Sequence, residues 1–237
     1  MLEIRKSDER GNVDEVWLRT KSTFAHGGQD ESRWTGFGDL CAIDEYWLSP
    51  KKERVVHGER DAEIVSYVLE GHLEHRDNLG NTLVLHAGDV SCVSAGAGIT
   101  CVRRNVSDCE PAHDLQICIF SGDQGVTTSF ERKYFPTVQK LNRLRVVASS
   151  DGRENSVRIP NDDLMYAAIL EARCEIIYSL SGQRKSYVQV ARGNLNLNGQ
   201  HLNQGDGAKI LDEMEIMLTT VLGAEFLLFD LPRCHPL

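Results

Sequence analysis

A short pattern occurs twice in this chain of 237 residues. Val68-x-x-Gly71-x-Leu73 is followed by Gly88-Asp89, and Val190-x-x-Gly193-x-Leu195 by Gly205-Asp206. Each copy fits a strand, a tight turn, a returning strand and then a Gly-Asp turn into the next strand. The first hairpin is longer, with 17 residues from Gly71 to Gly88 against 12 from Gly193 to Gly205. A repeat of this kind implies two related halves. The break between them is expected around residues 136 to 155, where Pro136, Ser149-Ser150 and Asp151-Gly152 interrupt the pattern. The expected division is an N-terminal domain over 1–136 and a C-terminal domain over 137–237.

The rest of the chain agrees with an all-β reading. Long amphipathic helical patterns are scarce. Short β-rich runs alternate with Gly, Asn and Asp turns. Strands are expected over Glu63–Leu69, Thr82–Leu85, Val90–Ser94, Leu115–Phe120, Met165–Leu170, Tyr187–Val190 and Glu225–Phe229. Asn78-Leu79-Gly80-Asn81 reads as a hairpin turn between Gly71–His75 and Thr82–Leu85.

Charge and cysteine usage narrow the function classes. A formal net charge of -9 argues against direct nucleic-acid binding. No apolar run approaches the ~20 residues of a membrane span. The start, Met1-Leu2-Glu3-Ile4-Arg5-Lys6, lacks the apolar core of a secretory signal. Seven cysteines with no Cys-x-x-Cys pair disfavour a zinc ribbon and suit reduced thiols. A cytoplasmic protein is expected. No Gly-rich phosphate loop, Ser-His-Asp order or nucleophile elbow is present.

Several segments together resemble the pirins, two-domain members of the cupin superfamily. They are Arg10-Gly11, Trp17-Leu18, Thr23-Phe24, Gly36-Phe37-Gly38-Asp39-Leu40, the block from Asp61 to Gly71, Asp77-x-x-Gly80-Asn81, Ser94-Ala95-Gly96-x-Gly98-Ile99, Leu115-Gln116-Ile117, Gly207 and Phe229-Asp230-Leu231-Pro232. Their order and spacing carry the resemblance over nearly the whole chain. It implies a bicupin: two stacked antiparallel β-barrels of the jelly-roll type with few short helices. It also implies one metal, often iron, in the N-terminal barrel, held by three histidines and a glutamate. The second barrel is expected to lack a metal site. Some members show quercetin 2,3-dioxygenase activity, and others bind regulators or metabolic enzymes.

This chain departs from that ligand set. Only His57 keeps the expected residue. Glu59 stands at the second histidine position, Cys101 at the third, and Arg103 where the family has its glutamate. Imidazole, carboxylate and thiolate all bind divalent ions, so His57, Glu59 and Cys101 could form an altered site for Fe, Zn, Cu or Ni. Arg103 argues against this, because a guanidinium stays protonated and has no lone pair to donate. The favoured reading is a lost metal, with Arg103 replacing its charge by pairing with Glu59. The alternatives are the altered metal site and a metal-free catalytic pocket. A filled barrel serving a purely structural role is a further class.

Other residues are weaker candidates. Cys101 would be reactive if Arg103 and His57 lowered its pKa, and inert if simply buried. Cys92 lies on the strand leading to the same loop. Strand alternation puts His72 with Glu74 on one face and Leu73 with His75 on the other, and both histidines are expected to be solvated. His86 is expected to be exposed, His113 is a distant candidate for the pocket, and Glu63 is either a support for the site or a strand-end residue. The expected function is a cytosolic protein that binds an unknown small ligand or protein partner, or responds to redox state, without a metal. The alternative is a metal-dependent oxygenase of the quercetin 2,3-dioxygenase kind.

Overall fold

A computed structural model of the protein describes residues 1–24, 34–58, 62–96, 98–121, 128–159 and 161–233, with the side chain of His57 outside the description. The elements follow one another as β1 (Leu2–Arg5), β2 (Gly11–Asp14), β3 (Leu18–Ser22), β4 (Leu40–Leu48), β5 (Glu53–Gly58), β6 (Ala62–Glu70), β7 (His72–Asp77), β8 (Thr82–His86), β9 (Asp89–Ser94), β10 (Ile99–Asn105), β11 (Ala112–Phe120) and β12 (Ser129–Tyr134). After the single turn of helix α1 (Thr137–Lys140) come β13 (Arg145–Ser149), β14 (Val157–Arg158), β15 (Leu164–Leu170), β16 (Glu175–Ser179), β17 (Arg184–Leu197), β18 (Gln200–Asn203), β19 (Gly207–Ile210), β20 (Glu215–Thr219) and β21 (Ala224–Pro232). None of the described helices is long and apolar enough to cross a membrane.

The chain divides into two compact units. One is Gly11–Tyr134; the other combines Met1–Arg10 with Phe135–Leu237. The internal break therefore falls next to Pro136. The first ten residues join the second unit, which the sequence-based division into 1–136 and 137–237 did not anticipate. The cause is a non-local ladder: β1 pairs antiparallel with β19, from Leu2 opposite Ile210 to Arg5 opposite Gly207.

The first unit has a seven-stranded sheet, ordered β12-β9-β6-β11-β4-β3-β2, and a four-stranded sheet, ordered β5-β10-β7-β8. The second unit is a ten-stranded sheet with the backbone order β1-β19-β17-β21-β15-β13-β14; β16, β18 and β20 branch from it through β17. Among the described residues these ladders do not close into a ring. The units are therefore described as sheets, a coarser result than the expected pair of barrels.

The sequence repeat corresponds to a shared backbone device. Gly88 N–H donates to the Val68 carbonyl at 2.9 Å, and Gly205 N–H donates to the Val190 carbonyl at 2.9 Å. The following aspartates also act alike. Asp89 accepts from the His86 N–H at 2.7 Å, and Asp206 from the Asn203 N–H at 2.9 Å. Gly71 and Gly193 have φ of 75° and 73°. A Cβ at Gly71 would lie 2.8 Å from the Pro111 carbonyl oxygen, and one at Gly193 would collide with the Gly223 carbonyl oxygen. Both positions thus demand glycine on conformational and steric grounds.

These glycines do not form the tight hairpin turns expected of them. In the first unit β6 pairs with β9 and β11, whereas β7 pairs with β8 and β10. Gly71 is where the chain passes from one sheet to the other. In the second unit β17 runs through Gly193 without a break, leaving β21 and taking up β18. The strand expected over Tyr187–Val190 is longer for the same reason.

Candidate functional site

The site is built from two facing rows of side chains in the first unit. On the smaller sheet, Arg103 of β10 stands between Arg54 of β5 and His75 of β7 in the ladder. On the larger sheet, Gln116 is paired with Asp44 and Ser66, and Ser66 with Ser91, giving the row Asp44–Gln116–Ser66–Ser91 across four strands. Hydrogen bonds join the rows. Arg103 Nη2 donates to Ser66 Oγ at 3.1 Å and to Ser91 Oγ at 3.4 Å. Arg54 donates through Nη1 to Gln116 Oε1 at 2.9 Å and through Nη2 to Asp114 Oδ2 at 2.7 Å. The Arg54 guanidinium also lies 3.6 Å over the Tyr46 ring.

Apolar clusters enclose this polar layer. Val56, Ile64, Val93, Ala95, Ile99 and Cys101 form one, with Phe130 against it. Leu48, Val68, Leu73, Leu85 and Ala112 form the other. Strand alternation explains the stacking: Ile64, Ser66 and Val68 lie on one face of β6, and Leu73 and His75 on one face of β7.

The two arginines differ in electrostatic provision. Arg54 has a carboxylate at ion-pair distance. Arg103 is 1% exposed, and its Nε and Nη1 meet no hydrogen-bond partner among the described residues. Burial pulls its pKa down, with a contribution from the Arg54 charge, against opposing influences from Cys101, Asp114 and Asp77. It stays a cation, because free guanidinium deprotonates only far above neutrality. A buried charge lacking a bonded counter-ion costs several kcal/mol, so this position is not there to stabilise the fold.

His75 is fully buried, not solvated as expected. Its ring lies 4.7 Å from the Phe130 ring, and Nε2 is 3.2 Å from Asp77 Oδ2. Burial, then the Arg103 charge, lowers its pKa to about 4, against the opposing influence of Asp77. Burial would raise Asp77, but bonds from Asn81, His75 and the Leu79 N–H hold it below the usual carboxylate value. The imidazole is therefore neutral near pH 7 and adds no charge to the layer.

Cys101 is buried in the apolar cluster beside Val56. Burial raises its thiol pKa, outweighing the arginines at 103 and 54. The expected activation by Arg103 is thus offset by desolvation, leaving a protonated thiol. The ladder sets Val56 opposite Cys101 and His57 opposite Thr100. Glu59 lies outside the described residues, and with it the expected Glu59–Arg103 pair.

The remaining candidates lie elsewhere. His113 is buried, bonded to Glu45 Oε1 at 2.9 Å and stacked 4.5 Å from Trp47. Glu63 is buried on the face of β6 opposite Ile64 and accepts from Cys92 Sγ at 3.2 Å and Ser94 Oγ at 2.5 Å. Burial raises its pKa, although these two bonds lower it. Cys92 thus turns to Glu63 and is not part of the Cys101 cluster. His72 and His86 are exposed, as expected for both, with ring centroids 5.0 Å apart. No disulfide joins the six cysteines among the described residues.

Sequence reasoning found Cys101 and Arg103 but missed Arg54, Ser66, Ser91, Asp114 and Gln116. A signal was available. Ser66 interrupts Ile64-Val65-Ser66-Tyr67-Val68, and Gln116 interrupts Leu115-Gln116-Ile117. Polar residues inside otherwise apolar strands mark an interior with a polar task.

The described pair does not fit a metal. Arg103 has no donor lone pair, and its side chain is buried in the layer instead of turned out to water. Cys101 would first have to lose a proton that burial retains. Among the described residues no three His, Cys, Asp or Glu side chains are grouped to hold an ion.

Comparison with known proteins gives the lineage. Residues 4–119 match the family model for pirin, and residues 146–231 match that for the quercetinase C-terminal cupin domain. A quercetin 2,3-dioxygenase of Escherichia coli (strain K12) is 33% identical over 232 residues, covering 98% of this chain and 99% of that protein. The crystal structure of YhhW from Escherichia coli superposes with a TM-score of 0.92 at 32% identity, over 100% of both chains. The same bacterial pirin in complex with nickel(II) gives 0.90 at 31% identity, covering 99% of this chain and 100% of that one. The chain belongs to the pirin family and is a pirin-like bicupin related to quercetin 2,3-dioxygenases.

Proposed function

We propose that this protein is a pirin that works without a metal in its N-terminal unit, as a binding protein for a small ligand or a protein partner. In this reading the first unit is the working equivalent of the family's metal barrel. His57, Glu59, Cys101 and Arg103 are the altered ligand positions. The observation that carries the reading is Arg103, a guanidinium buried at 1% exposure whose Nε and Nη1 have no acceptor among the described residues. A divalent ion close to it would meet a fixed positive charge that cannot be titrated away. A cytoplasmic setting accords with six cysteines that form no disulfide among the described residues. The raised pKa of Cys101 favours ligand or partner binding over a redox response.

A second reading rests on the relatives. The Escherichia coli protein of 33% identity is a quercetin 2,3-dioxygenase, which suggests an oxygenase using an ion on His57, Glu59 and Cys101. Fold similarity alone does not carry function when the site residues change. The two readings separate by O2 consumption with quercetin after reconstitution with iron, copper or nickel. The metal-free reading predicts no turnover above a metal-only control. Turnover abolished by Cys101→Ala would overturn it.

A further inference from the structure

We propose that Arg103 and its serines form a seat for the carboxylate of a small-molecule ligand. The inference rests on the metal-free reading of the same site. A guanidinium has five N–H donors, and two contacts from Nη2 go to Ser66 and Ser91. Among the described residues Nε and both hydrogens of Nη1 have no acceptor and are left for another. The serines hold the guanidinium by one nitrogen, and its other two bond neither serine. This is how a residue is positioned for recognition rather than neutralised.

Charge selects the ligand class. Asp114 is engaged by Arg54 at 2.7 Å, and Asp77 by Asn81, His75 and the Leu79 N–H. His75 is neutral near pH 7. Among the described residues no carboxylate lies at ion-pair distance from Arg103, while Arg54 adds a second positive charge to its surroundings. Burial strengthens such a field, because little water screens it. One uncompensated charge with two hydroxyls suits a monoanion. The Asp114 carboxylate in the same layer opposes a dianion such as phosphate.

Access and the second unit agree. Tyr46, Gln116 and Cys118 occupy the same strand face as Asp114, on central strands, yet are only half-buried. The layer is thus reachable from the β4–β11 side. In the second unit the row equivalent to Gln116–Ser66–Ser91 is Leu228–Val188–Ala208, all buried in one apolar cluster. The fold therefore does not require polar groups here.

The test uses full-length protein whose metal content has been measured, titrated with sodium acetate and sodium formate at constant ionic strength, with chloride as the control. Thermal unfolding should shift upward along a single-site saturation curve for the carboxylates and not for chloride. Arg103→Gln should weaken that binding by roughly tenfold or more. The Arg103 Nε–H signal in a 15N–1H correlation spectrum of the wild type should move with the same titration, a readout that survives if the variant does not fold. Metal-free protein with no saturable response, or a response equal to that of chloride, overturns the seat but not the metal-free reading. Binding seen only in Glu59→Gln means the chain's own Glu59 fills the seat, and also overturns the ligand proposal. One metal ion per chain overturns the metal-free reading and this inference with it.

Discussion

The two units share a turn device and differ in what they enclose. The Gly88–Val68 and Gly205–Val190 bonds are equivalent, and so are the Asp89 and Asp206 turns. Yet the paired positions Ser66, Ser91 and Gln116 of the first unit become Val188, Ala208 and Leu228 in the second. One interior is filled with apolar side chains, and the other carries two arginines, an aspartate and a neutral histidine. Backbone and interior are therefore separable. Glycine and aspartate turns fix the strand path, and the interior row is free to be a core or a site.

The comparison is broken most severely by exchanging the interiors. Leu228→Gln places an amide in the second unit's apolar cluster, where it has neither the volume fit nor partners. It should cost ~4 kcal/mol, from lost burial plus an unsatisfied polar group, measurable by urea unfolding. A cost below about 1 kcal/mol would mean that this interior tolerates polarity and that the contrast is accidental.

Acid should act on the first unit. Folded His75 stays neutral down to about pH 4, whereas the unfolded side chain protonates near the ordinary imidazole value of 6.5. Between these values the unfolded chain binds more protons, so this contribution is fully present above 6.5 and is lost as pH falls toward 4. Its size is at most ~3 kcal/mol from the shift in His75 pKa. Stability measured from pH 7 to 4 should fall more steeply for wild type than for His75→Gln. Parallel curves would contradict the buried neutral imidazole.

Arg103→Met should change stability in the opposite direction. Replacing an unneutralised buried charge by an apolar side chain of similar reach should raise stability by ~1–3 kcal/mol. A loss of that size would instead mean that Arg103 is a structural ion-pair member. The smallest effect concerns thiols. Cys41 and Cys109 are exposed, whereas Cys101 is buried with a raised pKa. Iodoacetamide at pH 7.5 should label the first two in native protein and spare Cys101 until unfolding. Rapid labelling of Cys101 would restore the redox reading.

Much of the fold was legible in the sequence because its signals are local. The repeat marked Gly71, Gly193, Gly88 and Gly205, each of which has positive φ. Alternation located strands such as β6, β9 and β15. What escaped was non-local: that β1 closes onto β19, and that Gly71 is a passage between sheets. The site was legible only where a motif carried it, at Cys101 and Arg103. Arg54, Asp114, Gln116, Ser66 and Ser91 come from four strands, and only the ladder registers bring them to one layer. His75 was misjudged because alternation assigns a residue to a face without saying which face is covered.

The central claim is that Arg103 stands in place of a metal. The most direct test is elemental mass spectrometry on tag-free wild-type protein beside the variant Glu59→His, Cys101→His, Arg103→Glu. The account predicts metal well below one ion per chain in the wild type and about one in the variant, whose side chains restore the family's ligand types. One iron, zinc, copper or nickel per wild-type chain would contradict it.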